Sequence, residues 1–202
     1  IQTSDAGTYH LIIGNGIVST TSSNVTLTVY PDIYPRLAPL WSLAPGSRPY
    51  ITTDTPNVPN QRFFAYNSLS NQVLLVSRIF DGATYFTNSI YVLNGDTGAE
   101  LYQMNADPGI ISGGLDATGG GTNLLSLNCI DVAQDGAVYA GNVDNTGNYK
   151  LYYWPSSDPS AVPQNVFSGD PSGGLMFNTP RYGDCMAVRG AGAATQVLLD
   201  DK

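Results

Sequence analysis

The chain has 202 residues, 42% of them hydrophobic and only 12% charged, and it carries a formal charge of −8. Of its 16 acidic side chains only Glu100 is a glutamate, and Lys150 and Lys202 are its only lysines. Glu and Lys furnish the solvent faces of helices, so this composition argues against a long helical protein. Polyanion binding depends on clustered Lys and Arg. With no basic run, nucleic acid and anionic membrane surfaces are not expected partners, and no apolar stretch approaches the ~18 residues of a bilayer span.

The first thirty residues alternate with the period of a strand. Tyr9, Leu11 and Ile13 fall on one face, and Val25, Leu27 and Val29 repeat the pattern after Gly14-Asn15-Gly16 and a Ser/Thr-rich stretch. Two period-2 runs around a turn signal predict a β-hairpin. Within it, Asp5-Ala6-Gly7-Thr8-Tyr9 resembles the D-x-G-x-Y motif of immunoglobulin-like domains, where the Tyr forms a corner and a Cys follows two residues later. Leu11 stands at the Cys position, so that family's inter-sheet disulfide is absent. The resemblance implies that residues 1–30 supply the C-terminal strands of an immunoglobulin-like sandwich. Residues 31–39, with Pro31, Pro35 and Pro39, read as a semi-rigid linker.

From Leu40 onward short β-rich runs alternate with Gly, Asn and Asp clusters, and three segments repeat. Phe63-Phe64-Ala65-Tyr66 aligns with Cys129-Ile130-Asp131-Val132 and Cys185-Met186-Ala187-Val188. Each is followed by a second strand: Gln72–Val76, Ala137–Ala140 and Gln196–Leu199. The first two copies continue into third strands, Ile90–Leu93 and Leu151–Trp154, and fourth strands, Glu100–Met104 and Asn165–Phe167. The copies are offset by 66 and 56 residues, long for a repeat of ~40–50. The excess sits in Gly-rich insertions such as Gly113-Gly114 and Gly119-Gly120-Gly121. Four antiparallel strands per repeat is the grammar of a β-propeller blade, with a plain β-sandwich as the alternative. Residues 40–202 hold about two and a half blades, whereas a ring takes roughly 4–8. The expected fold is therefore all-β, part of an immunoglobulin-like sandwich followed by an incomplete propeller. Both ends read as cut mid-domain, either because the chain is a piece of a larger one or because neighbouring copies supply strands. Leu40 to Leu43 would act as a clasp strand, with Trp41 as its packing anchor.

A second resemblance covers most of residues 40–200. It is carried by Trp41-Ser42-Leu43-Ala44-Pro45-Gly46-Ser47-Arg48-Pro49, Val76-Ser77-Arg78, Tyr91-Val92-Leu93-Asn94-Gly95-Asp96-Thr97-Gly98, Phe167-Ser168-Gly169-Asp170-Pro171 and Arg181-Tyr182-Gly183-Asp184. This order of motifs is similar to a propeller module, of uncharacterised function, in large secreted bacterial proteins that also carry immunoglobulin-like domains. The resemblance implies an extracellular or cell-surface setting and no catalytic residues.

Chemistry-bearing residues are sparse. His10 is the only histidine and lies on the hairpin, away from the repeats. Most aspartates occupy turns, among them Asp81-Gly82, Asp96-Thr97-Gly98 and Asp135-Gly136, where they cap backbone amides. Asp131 and Asp184 sit in or beside first strands, which line a propeller's channel. They are candidate ligand contacts, with structural hydrogen bonding as the alternative. Asn142, Asp144 and Asn148 offer alternating oxygens that calcium would accept, without the spacing of an EF-hand loop; a plain hairpin turn is the alternative. Beyond calcium no cofactor is expected. Cys129 and Cys185 occupy equivalent places in consecutive blades, as a disulfide between first strands or as two buried thiols. Among the aromatic strand residues, Tyr153 and Trp154 are candidate saccharide contacts, since an aromatic face beside Asn and Asp suits sugar stacking.

These readings lead to a non-enzymatic extracellular module, structural or adhesive, or the subunit of a filament. Its partners would be other domains of the same chain, neighbouring copies or carbohydrate. The alternative is a propeller enzyme acting on polysaccharide, with catalytic acids partly outside this sequence.

Overall fold

A computed structural model of the chain describes residues 2–29, 37–52, 60–78, 89–112, 125–146, 148–174 and 181–201. Part of the Pro-rich linker (30–36), the Asp81-Gly82 turn and the Gly-rich insertions at 113–121 lie outside the described residues. The described regular structure is antiparallel strand, apart from two single-turn 3-10 segments. The chain forms two compact units, Ile1–Pro39 and Leu40–Lys202.

In the first unit, β1 (Gly7–Tyr9) pairs with β4 (Val25–Leu27), and β2 (Ile12–Gly14) pairs with β3 (Ser19–Thr21). The hairpin predicted as one continuous pair is two short ones, because the register slips by one residue between Tyr9↔Val25 and Ile12↔Thr21. The Ser22 hydroxyl takes the Leu11 amide at the slip. The turn is held by the Asn15 side chain, which accepts the Ile17 and Val18 amides at 3.0 and 2.9 Å. The Tyr9 hydroxyl donates to the Asp5 carbonyl, four residues earlier, at 2.6 Å.

The second unit contains two four-stranded sheets, each with its strands in chain order. The first is β5 (Gln61–Asn67), β6 (Gln72–Ser77), β7 (Ser89–Asn94) and β8 (Glu100–Gln103). The second is β9 (Cys129–Val132), β10 (Val138–Gly141), β11 (Tyr149–Trp154) and β12 (Gln164–Gly169). A two-stranded sheet follows, β13 (Tyr182–Arg189) and β14 (Gln196–Asp201). None of these sheets closes on itself. Each of the ten strands expected from the repeat overlaps one of these elements, with ends that differ by up to three residues. The strands are joined by turns whose side chains cap their own backbone; the Asn94 side chain, for example, accepts the Asp96 and Thr97 amides.

Successive sheets lie side by side through their first strands, β5 against β9 and β9 against β13. Period-2 alternation explains why both contacts are apolar. Leu74, Val76, Ile90 and Val92 of the first sheet meet Ile130, Val138, Ala140, Tyr152 and Trp154 of the second, and all nine are buried. The alternate residues of the second sheet, Cys129, Tyr149 and Leu151, turn the other way and pack against Tyr182 and Met186 of β13. Each fully buried aliphatic side chain contributes about 1.5–3 kcal/mol, so this double-sided burial holds the second sheet in the middle of the stack. Asn128, itself buried, ties the three first strands together. Its side chain accepts from Arg62 Nε at 2.6 Å and donates to the Gly183 carbonyl at 2.7 Å.

Residues 40–43 form no strand, so the expected clasp is corrected. The segment lies instead on the outer face of the first sheet. Trp41 does act as an anchor: its indole N–H donates to the Gly95 carbonyl at 2.7 Å, and its ring covers Gly98, where a Cβ would come within 2.5 Å of it. Tyr50 stacks on Tyr91 with ring centroids 3.7 Å apart, and its hydroxyl donates to Glu100 at 2.7 Å. The rest of that face is an apolar cleft of about 350 Å³ lined by Trp41, Leu43, Phe64, Tyr66, Val73 and Leu75.

Candidate functional site

The face of the second sheet turned toward β13 and β14 carries one row of residues across all four strands. Asp131 on β9 lies opposite Tyr139 on β10, Tyr139 opposite Tyr153 on β11, and Tyr153 opposite Gln164 on β12. Residues directly opposite in antiparallel strands share a face, which places these four side chains on the same surface. One end of that surface is sealed by Tyr182 and Met186. The other end stays open as a cleft of about 270 Å³, bounded by Asp135, Tyr139, Tyr153, Gln164, Val166 and Gly192.

The cleft's far wall is held by two ties. The Gln134 amide donates to the Gly190 carbonyl at 2.9 Å, and the Asp135 carboxylate accepts the Gly192 amide at 2.7 Å and the Ala137 amide at 3.2 Å. Those bonds, the Gly192 one first, hold the Asp135 carboxyl below its ordinary value. The Tyr139 and Tyr153 rings stand 5.2 Å apart, tilted by 54°. Both are half-buried, and Gln164 is exposed.

The hydroxyl inventory singles out this pair. Tyr9, Tyr149, Tyr152 and Tyr182 donate to Asp5, Met186, Ser112 and Asp170. Tyr50 and Tyr66 donate to Glu100 and Asn71, Tyr102 accepts from Gln72, and Tyr91 pairs with Ser89. Among the described tyrosines, Tyr139 and Tyr153 alone make no hydrogen bond within the protein, and the Gln164 amide beside them makes none either.

The residues singled out from sequence fall in different places. Asp131 is a tie between sheets: it accepts the Val188 amide of β13 at 2.6 Å and the Val132 amide at 2.8 Å. Asp184 forms a two-pronged ion pair with Arg181, which donates through Nε and, at 2.9 Å, through Nη2. Tyr153 lines the cleft. Trp154 corrects the expectation of a ligand contact: it is fully buried toward the first sheet, and its indole N–H donates to the Asn105 carbonyl at 2.8 Å. Adjacent strand residues point to opposite faces, so Tyr153 and Trp154 cannot serve one ligand.

Asn142, Asp144 and Asn148 do come together, as a self-capped turn. Asp144 accepts the Thr146 amide, the Thr146 hydroxyl and the Asn148 amide at 2.7–2.8 Å, and Asn142 accepts the Lys150 amide at 2.9 Å. Calcium takes 6–8 oxygen ligands, and here one carboxylate oxygen already serves two backbone N–H groups and the other the Thr146 hydroxyl. The donor set fits a turn better than a cation cage. Among the described residues no three His, Cys, Asp or Glu side chains cluster. The cysteines correct both sequence readings, since each is a free thiol and only Cys129 is buried. Burial pushes the Cys129 thiol up to about 12, and Cys185 is exposed on β13.

Tyr139, Asp135 and Gln164 were missed. Alternation in Ala137-Val138-Tyr139-Ala140 does put Tyr139 opposite in sense to Val138, which was a usable signal. Its juxtaposition with Tyr153, and that of Gln164 just after Pro163, depends on hairpin register, which alternation within one strand does not give.

No protein-family model matches the chain, and no curated protein matches it. Among solved structures, the chain is similar to a DUF4623 family protein from Bacteroides eggerthii, at 18% identity and a TM-score of 0.42. The match covers 88% of this chain and 37% of that one, so the chain spans little more than a third of its neighbour's length. Among the described residues no helix is long and apolar enough to cross a membrane.

Proposed function

We propose that the chain is a non-enzymatic module of a secreted or cell-surface protein, structural or adhesive, acting through its surfaces. In this reading the two four-stranded sheets and the β13–β14 pair are consecutive propeller-type blades, and residues 1–30 are the closing strands of an immunoglobulin-like domain. Its partners are other domains of the same chain, neighbouring copies or carbohydrate.

The observation that carries the reading is what the carboxylates do. Asp131, Asp135, Asp144, Asp158 and Asp170 each accept backbone amides, and Asp184 is held by Arg181. A general acid or nucleophile needs a carboxyl aimed at a substrate atom; these are aimed at their own loops and at the neighbouring sheet. The Tyr9 corner supports the immunoglobulin-like half. Side-by-side sheets joined at their first strands support the propeller half.

The test is turnover. The full chain, incubated with soluble xylan, pectin, starch and carboxymethylcellulose, is expected to release reducing ends no faster than buffer. Sustained release that Asp184→Asn or Asp131→Asn abolishes, while the protein stays folded, would overturn the reading in favour of a polysaccharide-acting enzyme.

A further inference from the structure

We infer that the cleft between Tyr139, Tyr153 and Gln164 binds a neutral saccharide, through a single sugar ring. The inference deepens the adhesive reading and rests on it, by assigning the module's surface a site and a ligand class.

Three features of the cleft point the same way. The first is shape: two half-buried aromatic rings, 5.2 Å apart and tilted by 54°, line the cleft without closing on each other as a parallel stack. Tyrosine supplies an apolar face and a polar tip together, and a sugar ring offers C–H groups on its faces and hydroxyls on its rim. The volume of about 270 Å³ sits just under the usual range of ~300–1,000 Å³ for ligand pockets, which suits one ring and not a buried chain.

The second is the polar inventory. Both tyrosine hydroxyls and the Gln164 amide lack partners within the protein, in a molecule whose other described tyrosines all have one. These groups can donate as well as accept. A polyol answers both needs. A quaternary ammonium ion, the other guest of aromatic clefts, has no acceptor to offer the hydroxyls or the amide.

The third is charge. Asp135 stands at the cleft's edge in a chain of net charge −8, so acidic sugars are repelled. Its two oxygens are each engaged by one backbone amide, which keeps the carboxylate in place as a wall and leaves it lone pairs for a sugar hydroxyl.

The site has a built floor. Tyr139 and Tyr153 stand on the two central strands of a sheet buried on its opposite face by Val138, Tyr152 and Trp154. A ligand would therefore meet rings whose backbone is already ordered, which limits the cost of binding.

Ligand-observed saturation-transfer NMR on the full chain tests the assignment, with D-galactose, D-mannose, N-acetyl-D-glucosamine and cellobiose as probes. The expected result is transfer to the ring protons of at least one probe. Tyr153→Ala is expected to weaken its affinity roughly fivefold to tenfold, as is the exposed and structurally mild Gln164→Ala. Tyr66→Ala, on the other four-stranded sheet, leaves it unchanged. Tyr153→Phe keeps the ring and the fold and loses only the hydroxyl's share. No transfer to any of the four sugars overturns the inference, as does transfer that both cleft variants leave intact. Transfer to tetramethylammonium with none to the sugars overturns it too, by making the cleft a cation site. A null result without polysaccharide turnover removes the ligand class alone, whereas turnover removes the module reading itself.

Discussion

Removing the Asp131 side chain is the sharpest structural perturbation available, because one carboxylate joins two sheets. Its Oδ2 accepts the Val188 amide of β13 at 2.6 Å, and its Oδ1 accepts the Val132 amide of its own strand at 2.8 Å. A hydrogen bond to a charged acceptor contributes about 1.5–3 kcal/mol, and a buried N–H left without an acceptor costs about 1–3 kcal/mol. The carboxylate is only half-buried, so water replaces part of what is lost and the lower end of each range applies. Asp131→Ala should cost about 2–3 kcal/mol. Asp131→Asn, which keeps one carbonyl oxygen and loses the charge, should cost about 1 kcal/mol. Urea unfolding followed by tryptophan fluorescence reads this directly, since Trp41 and Trp154 both lie in the Leu40–Lys202 unit. In thermal unfolding the Ala variant should melt roughly 4–12 °C lower, at ~2–4 °C per kcal/mol for a unit of this size. An Ala variant within about 0.5 kcal/mol of the parent, the range of ordinary surface changes, would refute the claim that this contact joins the sheets.

Other expectations follow from the same packing. Gly183→Ala should destabilise by about 3 kcal/mol or more in the same assay. Its φ is +87°, and a Cβ there would overlap the Asn142 carbonyl. Titration with an aromatic disulfide reagent should modify one thiol, Cys185, in the folded protein and Cys129 only on unfolding; two unreactive cysteines would point to a disulfide instead. Stability should be full below about pH 9 and fall as pH rises from there toward 12. Burial raises the Cys129 thiol from 9.0 to about 12 and the Tyr50 phenol from 10.0 to about 12. The unfolded chain therefore loses these protons first, at up to about 1.4 kcal/mol per pH unit for each group. Cys129→Ala should flatten that slope in urea unfolding measured across the alkaline range.

Local pattern carried the strands well and the site poorly. Runs such as Gln72–Val76 and Ile90–Leu93 announce themselves through β-branched content and flanking turn residues, and they appear as β6 and β7. The internal repeat even placed the first strands of successive sheets beside one another. What alternation cannot supply is which of two faces is left open. Tyr153 and Trp154 look equally available as letters, but the face bearing Trp154 is closed by the first sheet and the face bearing Tyr153 is only half covered by β13 and β14. Asp144 illustrates the same limit. Its spacing from Asn142 and Asn148 suits a cation loop or an Asx turn equally, and the choice is made by where the Thr146 and Asn148 amides point. Cys129 and Cys185 align in the repeat and take the same face of their strands, but β13 covers the Cys129 face, whereas Cys185 points away from the second sheet, opposite to Met186, and is exposed.

The functional reading depends on sheets that bury one another, and amide hydrogen exchange in Leu74→Ala tests that most directly. Leu74 is fully buried on β6, in the core shared with β10 and β11, and its truncation should cost about 2–5 kcal/mol. If the sheets are one cooperative stack, the slow amides of 138–154 should accelerate by a factor similar to those of 61–94. Acceleration confined to 61–103, with the second sheet exchanging as in the parent, would contradict the account.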